Sequence, residues 1–266
     1  MKIITIGDPH GSLEKVKKIP LDRIELILLT GDLGSANLMR KMAFDNIDRK
    51  RQGLAEIKYT PKQEKKAFME AYDSTVKIID YLSKFAPVYT IYGNVESRNP
   101  ETRKQSKKIG IKLPFLTNKL NSYKNVRVIN NIFSNFKGLK IGGLDYFIDG
   151  IWVKTFKPSD YQKRLRSAKK QTLKAKNILN NFAKKDIDIL VCHQPPFGVL
   201  DKVTSKFAPK HYQGKNAGSK IILEFIKKHQ PKYVFCGHIH EGEGFKKLGK
   251  TQVYNLGVGG YKIIEI

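Results

Sequence analysis

Tyr233-Val234-Phe235-Cys236-Gly237-His238-Ile239-His240 is an apolar run that stops at a glycine and two histidines. Four such residues closed by glycine read as a strand buried on both faces. The turn after it sets both imidazoles at the carboxyl end of the strand, where open α/β sheets hold their ligands. A His-x-His pair offers neutral nitrogens to one metal ion or to two adjacent ones. The pair means little alone and much if the same punctuation recurs.

It recurs four times. Lys2–Ile6 ends in Gly7-Asp8-Pro9-His10, Glu25–Thr30 in Gly31-Asp32-Leu33-Gly34, Pro87–Tyr92 in Gly93-Asn94-Val95-Glu96, and Ile187–Cys192 in His193-Gln194-Pro195-Pro196. The chain has only 6 histidines, and His10, His193, His238 and His240 all stand at these endings. Glycines allow sharp turns and close backbone approach. Short Asp, Asn and His side chains on such turns are stiffly held, as a preorganised metal shell requires. Asp8, Asp32 and Asn94 offer oxygen and the four histidines nitrogen. Cys192 and Cys236 precede the motifs and read as small buried strand residues, which argues against a structural zinc finger. Seven donors exceed one tetrahedral shell, so two ions sharing a carboxylate are expected. Two ions ~3.5–4 Å apart can clamp a phosphoryl group.

Between these endings the periodicity predicts helices. Ser12 opens a short one to Ile19, 35–53 is loosely helical, and Pro61 starts a long amphipathic helix to about Phe85. Ser159 is expected to cap a basic helix to about Lys185, and 219–229 is amphipathic, with His229 at the end favoured by the helix dipole. Arg98–Lys124 is polar with two prolines and reads as a long irregular connection. Val126–Phe133 and Leu139–Leu144 read as a hairpin. Asp145–Phe156 is rich in aromatic residues, which serve core packing and could also line a pocket. Thr251–Leu256 and Tyr261–Ile266 read as a closing pair of strands. No repeat or linker divides 1–266, so a single domain is expected.

The chain is 40% hydrophobic, enough for a substantial core. No apolar run approaches the ~20 residues of a membrane span, and the opening residues do not form a signal peptide. A soluble cytoplasmic protein is expected, without a membrane partner. Lys+Arg of 50 against Asp+Glu of 24 gives +26. A surface so basic attracts polyanions, which makes nucleic acid a possible partner, against the plain reading of a lysine-rich solvated surface.

The set Asp8-x-His10, Gly31-Asp32, Gly93-Asn94, His193 and Gly237-His238-x-His240 resembles the calcineurin-like metallophosphoesterase superfamily, in its order and over nearly the whole chain. His193-x-Pro-Pro and Gly218-Ser219 resemble its small stand-alone prokaryotic members. The resemblance implies an α/β (α+β) fold, a four-layer α/β/β/α sandwich with two mixed sheets. It implies that Asp8, His10 and His240 hold one divalent ion, that Asn94, His193 and His238 hold another, and that Asp32 bridges them. A hydroxide shared by the ions would be the nucleophile, with Asn94 and His193 stabilising the developing charge. Manganese is expected first; iron, zinc, cobalt and nickel also suit such donors. One position departs from the pattern. The superfamily commonly has a proton-donating histidine after Asn94, and here Val95 stands there. A lost acid costs ~10²–10⁴-fold with a poor leaving group. The expected substrate is therefore a small phosphodiester or an activated phosphomonoester, of nucleotide type. His211, in the loop after His193, is the candidate to contact substrate or donate the missing proton. A DNA or RNA nuclease and a non-catalytic metal-binding scaffold are the alternatives.

Overall fold

The computed structural model describes residues 1–158, 160–206, 208 and 210–266, with Arg51 described by its backbone alone. Strand β1 (Lys2–Ile6) leads into a short helix α1 (Leu13–Lys17), and β2 (Leu26–Leu29) into α2 (Asn37–Arg51) and the long α3 (Pro61–Leu82). Thr60 caps α3: its hydroxyl accepts from the Gln63 amide while the Gln63 side chain accepts from the Thr60 N–H. β3 (Val88–Thr90) is followed by α4 (Asn99–Ile109), α5 (Leu116–Asn121) and β4 (Val126–Val128). Then come β5 (Ile132–Phe136), β6 (Leu139–Leu144), α6 (Gly150–Phe156), α7 (Tyr161–Lys185), β7 (Ile189–Cys192), α8 (Lys220–His229) and β8 (Tyr233–Cys236). The chain closes with β9 (Gly244–Leu248), β10 (Thr251–Asn255) and β11 (Tyr261–Glu265).

Two mixed sheets result. The first has the order β11-β1-β2-β3-β4, with β11 antiparallel to β1 and the rest parallel. The second has the order β5-β6-β7-β8-β10-β9, parallel inside and antiparallel at both edges. Side-chain alternation along each strand builds the layers. Ile3, Leu26 and Leu28 of the first sheet meet Ile141, Ile189, Val191 and Phe235 of the second in one apolar layer. Their neighbours Ile4, Ile27 and Leu29 face outward onto Val16, Ile78 and Leu82 of α1 and α3. Leu190, Val234 and Cys236 face the other way onto Leu179 and Phe182 of α7 and Ile222 of α8. This is the expected four-layer α/β/β/α sandwich.

Several expectations are corrected. Arg98–Lys124 is mostly helical. Its apolar positions are too few to show a helical period, and local signals decide instead. The Glu101 carboxylate accepts from the Arg98 N–H at 2.9 Å, Pro100 sits in the first turn, and Gly110 closes α4 in a left-handed conformation. Ile109 and Leu113 then anchor the segment on Phe68 of α3. Val126–Phe133 is two strands belonging to different sheets. The chain breaks at Asn131, with φ 60, so that β4 joins β3 while β5 makes the hairpin with β6. β10 and β11 likewise do not pair: β10 lies between β8 and the unanticipated β9, and β11 joins β1. His229 is the last residue of α8, as expected, and there burial and then Lys228 pull its pKa down. Ser159, expected to cap α7, lies outside the described residues. Among those residues no helix is long and apolar enough to cross a membrane.

Phe235 is fully buried between the sheets, its ring stacked 5.9 Å from Tyr233 and 5.6 Å from Tyr254. Phe235→Ala should cost about 3–5 kcal/mol of unfolding free energy, read as a lowered urea midpoint at unchanged slope.

Candidate metal centre

All seven expected donors follow the carboxyl ends of β1, β2, β3, β7 and β8, and the two sheets bring those ends together. The loops can meet because glycines precede Asp8, Asp32, Asn94 and His238. A Cβ at Gly237 would lie 2.2 Å from Asp8 Oδ1, and one at Gly93 would lie 2.1 Å from Asp32 Oδ1. Three donors themselves hold left-handed backbone: His10 at φ 46, Asp32 at φ 48 and His238 at φ 67. Such conformations cost about 1–3 kcal/mol each and cluster where a site demands an orientation.

Asp8, His10 and His240 form one cluster. His10 Nε2 and His240 Nε2 face each other at 3.0 Å, and His240 Nε2 is 3.6 Å from Asp8 Oδ2. Asp8 is fully buried and accepts from the Thr30 hydroxyl at 3.0 Å and from the His238 N–H. His193 centres the other cluster. Its Nδ1 donates to the Thr30 carbonyl at 2.8 Å, and its Nε2 lies 3.1 Å from Asn94 Oδ1. Burial pulls the His193 pKa down, but Asp32 and Asp8 raise it on balance, so a proton on Nε2 can bridge to Asn94, and a metal ion taking both atoms as donors would displace it. The same holds for His10 and His240, where one hydrogen at most can lie between the nitrogens. The donors therefore fit metal ions on chemistry as well as position. The His238 ring lies 4.9 Å from that of His193.

Asp32 stands between the clusters. Its Oδ2 is 3.9 Å from His10 Nε2 and its Oδ1 is 3.7 Å from His193 Nε2. It is 2% exposed, and its Oδ1 accepts from the Val95 N–H at 2.8 Å. Burial, then His193, pushes the His238 pKa down to about 3, and burial also lowers that of His10. Both stay neutral and able to ligate. Burial pushes Asp8 up, but His193, His240, His238 and His10 together hold its carboxyl below the usual range.

Three further residues surround the donors, of which Arg40 carries no recognisable signal in sequence. The Glu96 carboxylate is buried behind Asp32 and accepts from the backbone N–H groups of Asp32 (3.0 Å), Leu33 (2.6 Å), Gly34 (3.3 Å) and Gly93 (2.9 Å). It fastens the Asp32 turn to the Asn94 turn. Tyr146, from the aromatic run after β6, lays its ring 5.2 Å from His238 and 5.7 Å from His193. Arg40, in the first turns of α2, places Nη2 3.4 Å from both nitrogens of His10 and has no carboxylate partner among the described residues. Val95 is 6% exposed and packs against Ala36 and Ala71. His211 is not brought to the centre: it is exposed, its ring 4.4 Å from Tyr212, and it touches none of the seven donors.

Glu96→Gln replaces one acceptor oxygen with an NH2 group aimed at backbone donors. We expect a loss of about 1–3 kcal/mol in stability and metal affinity weaker by about 10–100-fold, measured by urea denaturation and by metal titration calorimetry.

Metallophosphoesterase domain-containing protein 1 of Homo sapiens is 34% identical over 79 residues, 29% of this chain and 22% of that protein. A UPF0046 protein of Caenorhabditis elegans is 30% identical over 70 residues, 26% of this chain and 21% of its own. The similarity thus spans about a fifth of the length of these relatives. The crystal structure of the phosphopantetheinyl hydrolase PptH from Mycobacterium tuberculosis covers 97% of this chain and 89% of its own, at TM-score 0.50 and 14% identity, which is a likeness of fold. The family described as calcineurin-like phosphoesterase matches residues 1–242. With the match running from Asp8 through His240, the chain belongs to the calcineurin-like phosphoesterase family.

Proposed function

We propose that the protein is a metal-dependent phosphoesterase acting on phosphodiesters or activated phosphomonoesters of nucleotide type. Asp8, His10 and His240 would hold one divalent ion and Asn94, His193 and His238 the other, with Asp32 shared. The observation that carries this is Asp32, a buried carboxylate with one oxygen turned toward each imidazole cluster. Divalent ions there would supply Lewis acidity toward phosphoryl oxygens and bring the pKa of a water near neutrality. Our first choice is Mn²⁺, with Fe²⁺, Co²⁺, Ni²⁺ and Zn²⁺ compatible with the nitrogen and oxygen donors.

The remaining work falls to the chain's own groups. Arg40 has no acidic partner among the described residues and lies at the His10 side of the centre, where its guanidinium can meet a phosphoryl oxygen in a charge-assisted bond. Tyr146 walls the His238 side and limits the approach of water and substrate there. Asn94 and His193 orient the phosphoryl group. Val95 is packed into the helix layer, so the turn after Asn94 offers no side-chain proton for the leaving oxygen. This favours esters whose leaving group departs as a stable anion. A reducing cytoplasmic setting is consistent with Cys192 and Cys236, both free and buried.

Chelated protein should be inactive on bis-p-nitrophenyl phosphate and regain activity with Mn²⁺. Asp32→Ala or His238→Ala should lower kcat/KM by at least about 10²-fold. Bound metal without turnover of any phosphoester would overturn the proposal. Aryl esters should be cleaved about 10²-fold or more faster than alkyl esters, measured as the slope of rate against leaving-group pKa. Arg40→Ala should raise KM about tenfold with kcat little changed, read from initial rates with metal-saturated protein.

A further inference from the structure

Helix α7 has nine lysines and arginines in 25 residues and no aspartate or glutamate. The molecule supplies its own control. Helix α3, of 22 residues, balances four lysines with four acids. Helix α4 carries four cations against one acid in 11 residues, so the basic excess is not confined to α7, but α7 holds the largest, nine cations with no acid to offset them. All nine cations are exposed, and none makes an ion pair or a side-chain hydrogen bond among the described residues. The apolar side of α7 is used up in the core, through Ala168, Ala175, Leu179 and Phe182.

We infer that α7 is a docking surface for the phosphate backbone of a nucleic acid. Its 25 residues extend about 38 Å, close to the ~34 Å turn of a duplex. Lys163, Arg166 and Lys170, spaced three and four apart, make one ridge along its outer side. Lys169 and Lys176, seven apart, make a second. This second ridge joins Lys154 and Lys220 around a 340 Å³ concavity between α6, α7 and α8. A membrane surface fits poorly, because a helix lying on lipid turns an apolar face outward. The large apolar side chain that α7 exposes on its outer side is Leu173.

The first ridge continues through Lys174 toward the Tyr146 side of the metal centre. Lys174 and Gln171 of α7 share a 290 Å³ cavity with Tyr146, and Tyr146 packs on His238 and His193. A strand held on α7 would come up to the Tyr146 wall of the proposed hydrolytic site, whose seven donors do not line that cavity. That last step rests on the phosphodiesterase reading; docking on α7 does not.

The test is binding of a labelled 30-nucleotide strand, and of its duplex, to chelated protein by fluorescence anisotropy between 50 and 200 mM salt. We expect the logarithm of the affinity to fall with the logarithm of salt with a slope of about −3 or steeper. The triple variant Lys163→Glu/Arg166→Glu/Lys170→Glu should lose at least about tenfold in affinity and flatten the slope by about 2–3. Its Tm and its Mn²⁺-dependent turnover of bis-p-nitrophenyl phosphate should match the parent. The control Lys62→Glu/Lys65→Glu/Lys66→Glu on α3 changes net charge equally and should bind like the parent. Equal losses in both triples would overturn the α7 surface, as would binding unchanged in the α7 triple. Binding to phosphatidylserine vesicles but to neither oligonucleotide would also overturn it. Oligonucleotide binding lost only in the α7 triple, with no turnover of any ester by the parent, would support docking and count against the hydrolase reading alone.

Discussion

Burying acids is the constraint around which this molecule is arranged. Asp8, Asp32 and Glu96 lie within one set of loops at 0%, 2% and 6% exposure. No lysine reaches them, and the neighbours able to take positive charge are imidazoles. Removing a carboxylate from water is costly unless it is paired or coordinates a cation. The fold meets part of this cost with backbone N–H groups, of which Glu96 alone receives four. The electrostatic stress remains visible, since burial and then Asp32 push the Glu96 pKa up to about 7. A region so rich in buried oxygen acceptors and imidazole lone pairs is complementary to cations. Metal ions would offset the excess negative charge.

The same constraint explains the backbone. A carboxylate and an imidazole on neighbouring strands can converge only if their turns are tight. Tightness is achieved by left-handed conformations at His10, Asp32 and His238 and by bare Cα atoms at Gly93 and Gly237. Each turn is held by another: the His238 N–H by Asp8, the Val95 N–H by Asp32, the Asp32 N–H by Glu96. The site is thus a closed set of mutual restraints, with the two sheets fixing the distances between them.

Legibility in sequence follows from how local each feature is. The donors at Asp8, His10, Asp32, Asn94, His193, His238 and His240 announce themselves because each sits beside its own strand and glycine. The four layers follow from the family resemblance; runs such as Leu26–Leu29, apolar on both faces, show by themselves only buried strands. Arg40 is silent in sequence because its role exists only across the fold, 30 residues from His10, whereas Glu96 stands in the turn of Asn94 and the structure adds its reach to the Asp32 N–H, 64 residues away. Helix α4 was hidden because its stability comes from caps and two apolar anchors, which leave little period to detect. The partners of β10 and β11 were misread because adjacency along the chain was taken for adjacency in a sheet. His211 was singled out by elimination among six histidines, and elimination carries no geometry.

The register of the first sheet has a consequence for how the protein comes into being. β1 pairs with β11, Lys2 opposite Glu265 and Ile6 opposite Tyr261. A nascent chain displays Asp8, His10, Asp32 and Asn94 long before His193, His238 and His240 are synthesised. During that interval β1 lacks one neighbour, and the inter-sheet layer lacks Phe235. Pairings so distant in sequence form late and slowly. Four of the seven candidate donors therefore wait in a partly exposed, aggregation-prone intermediate. The order of synthesis would make metal capture a late event of folding, since the candidate donors are complete only once β8 and the turn to His240 have joined the sheets.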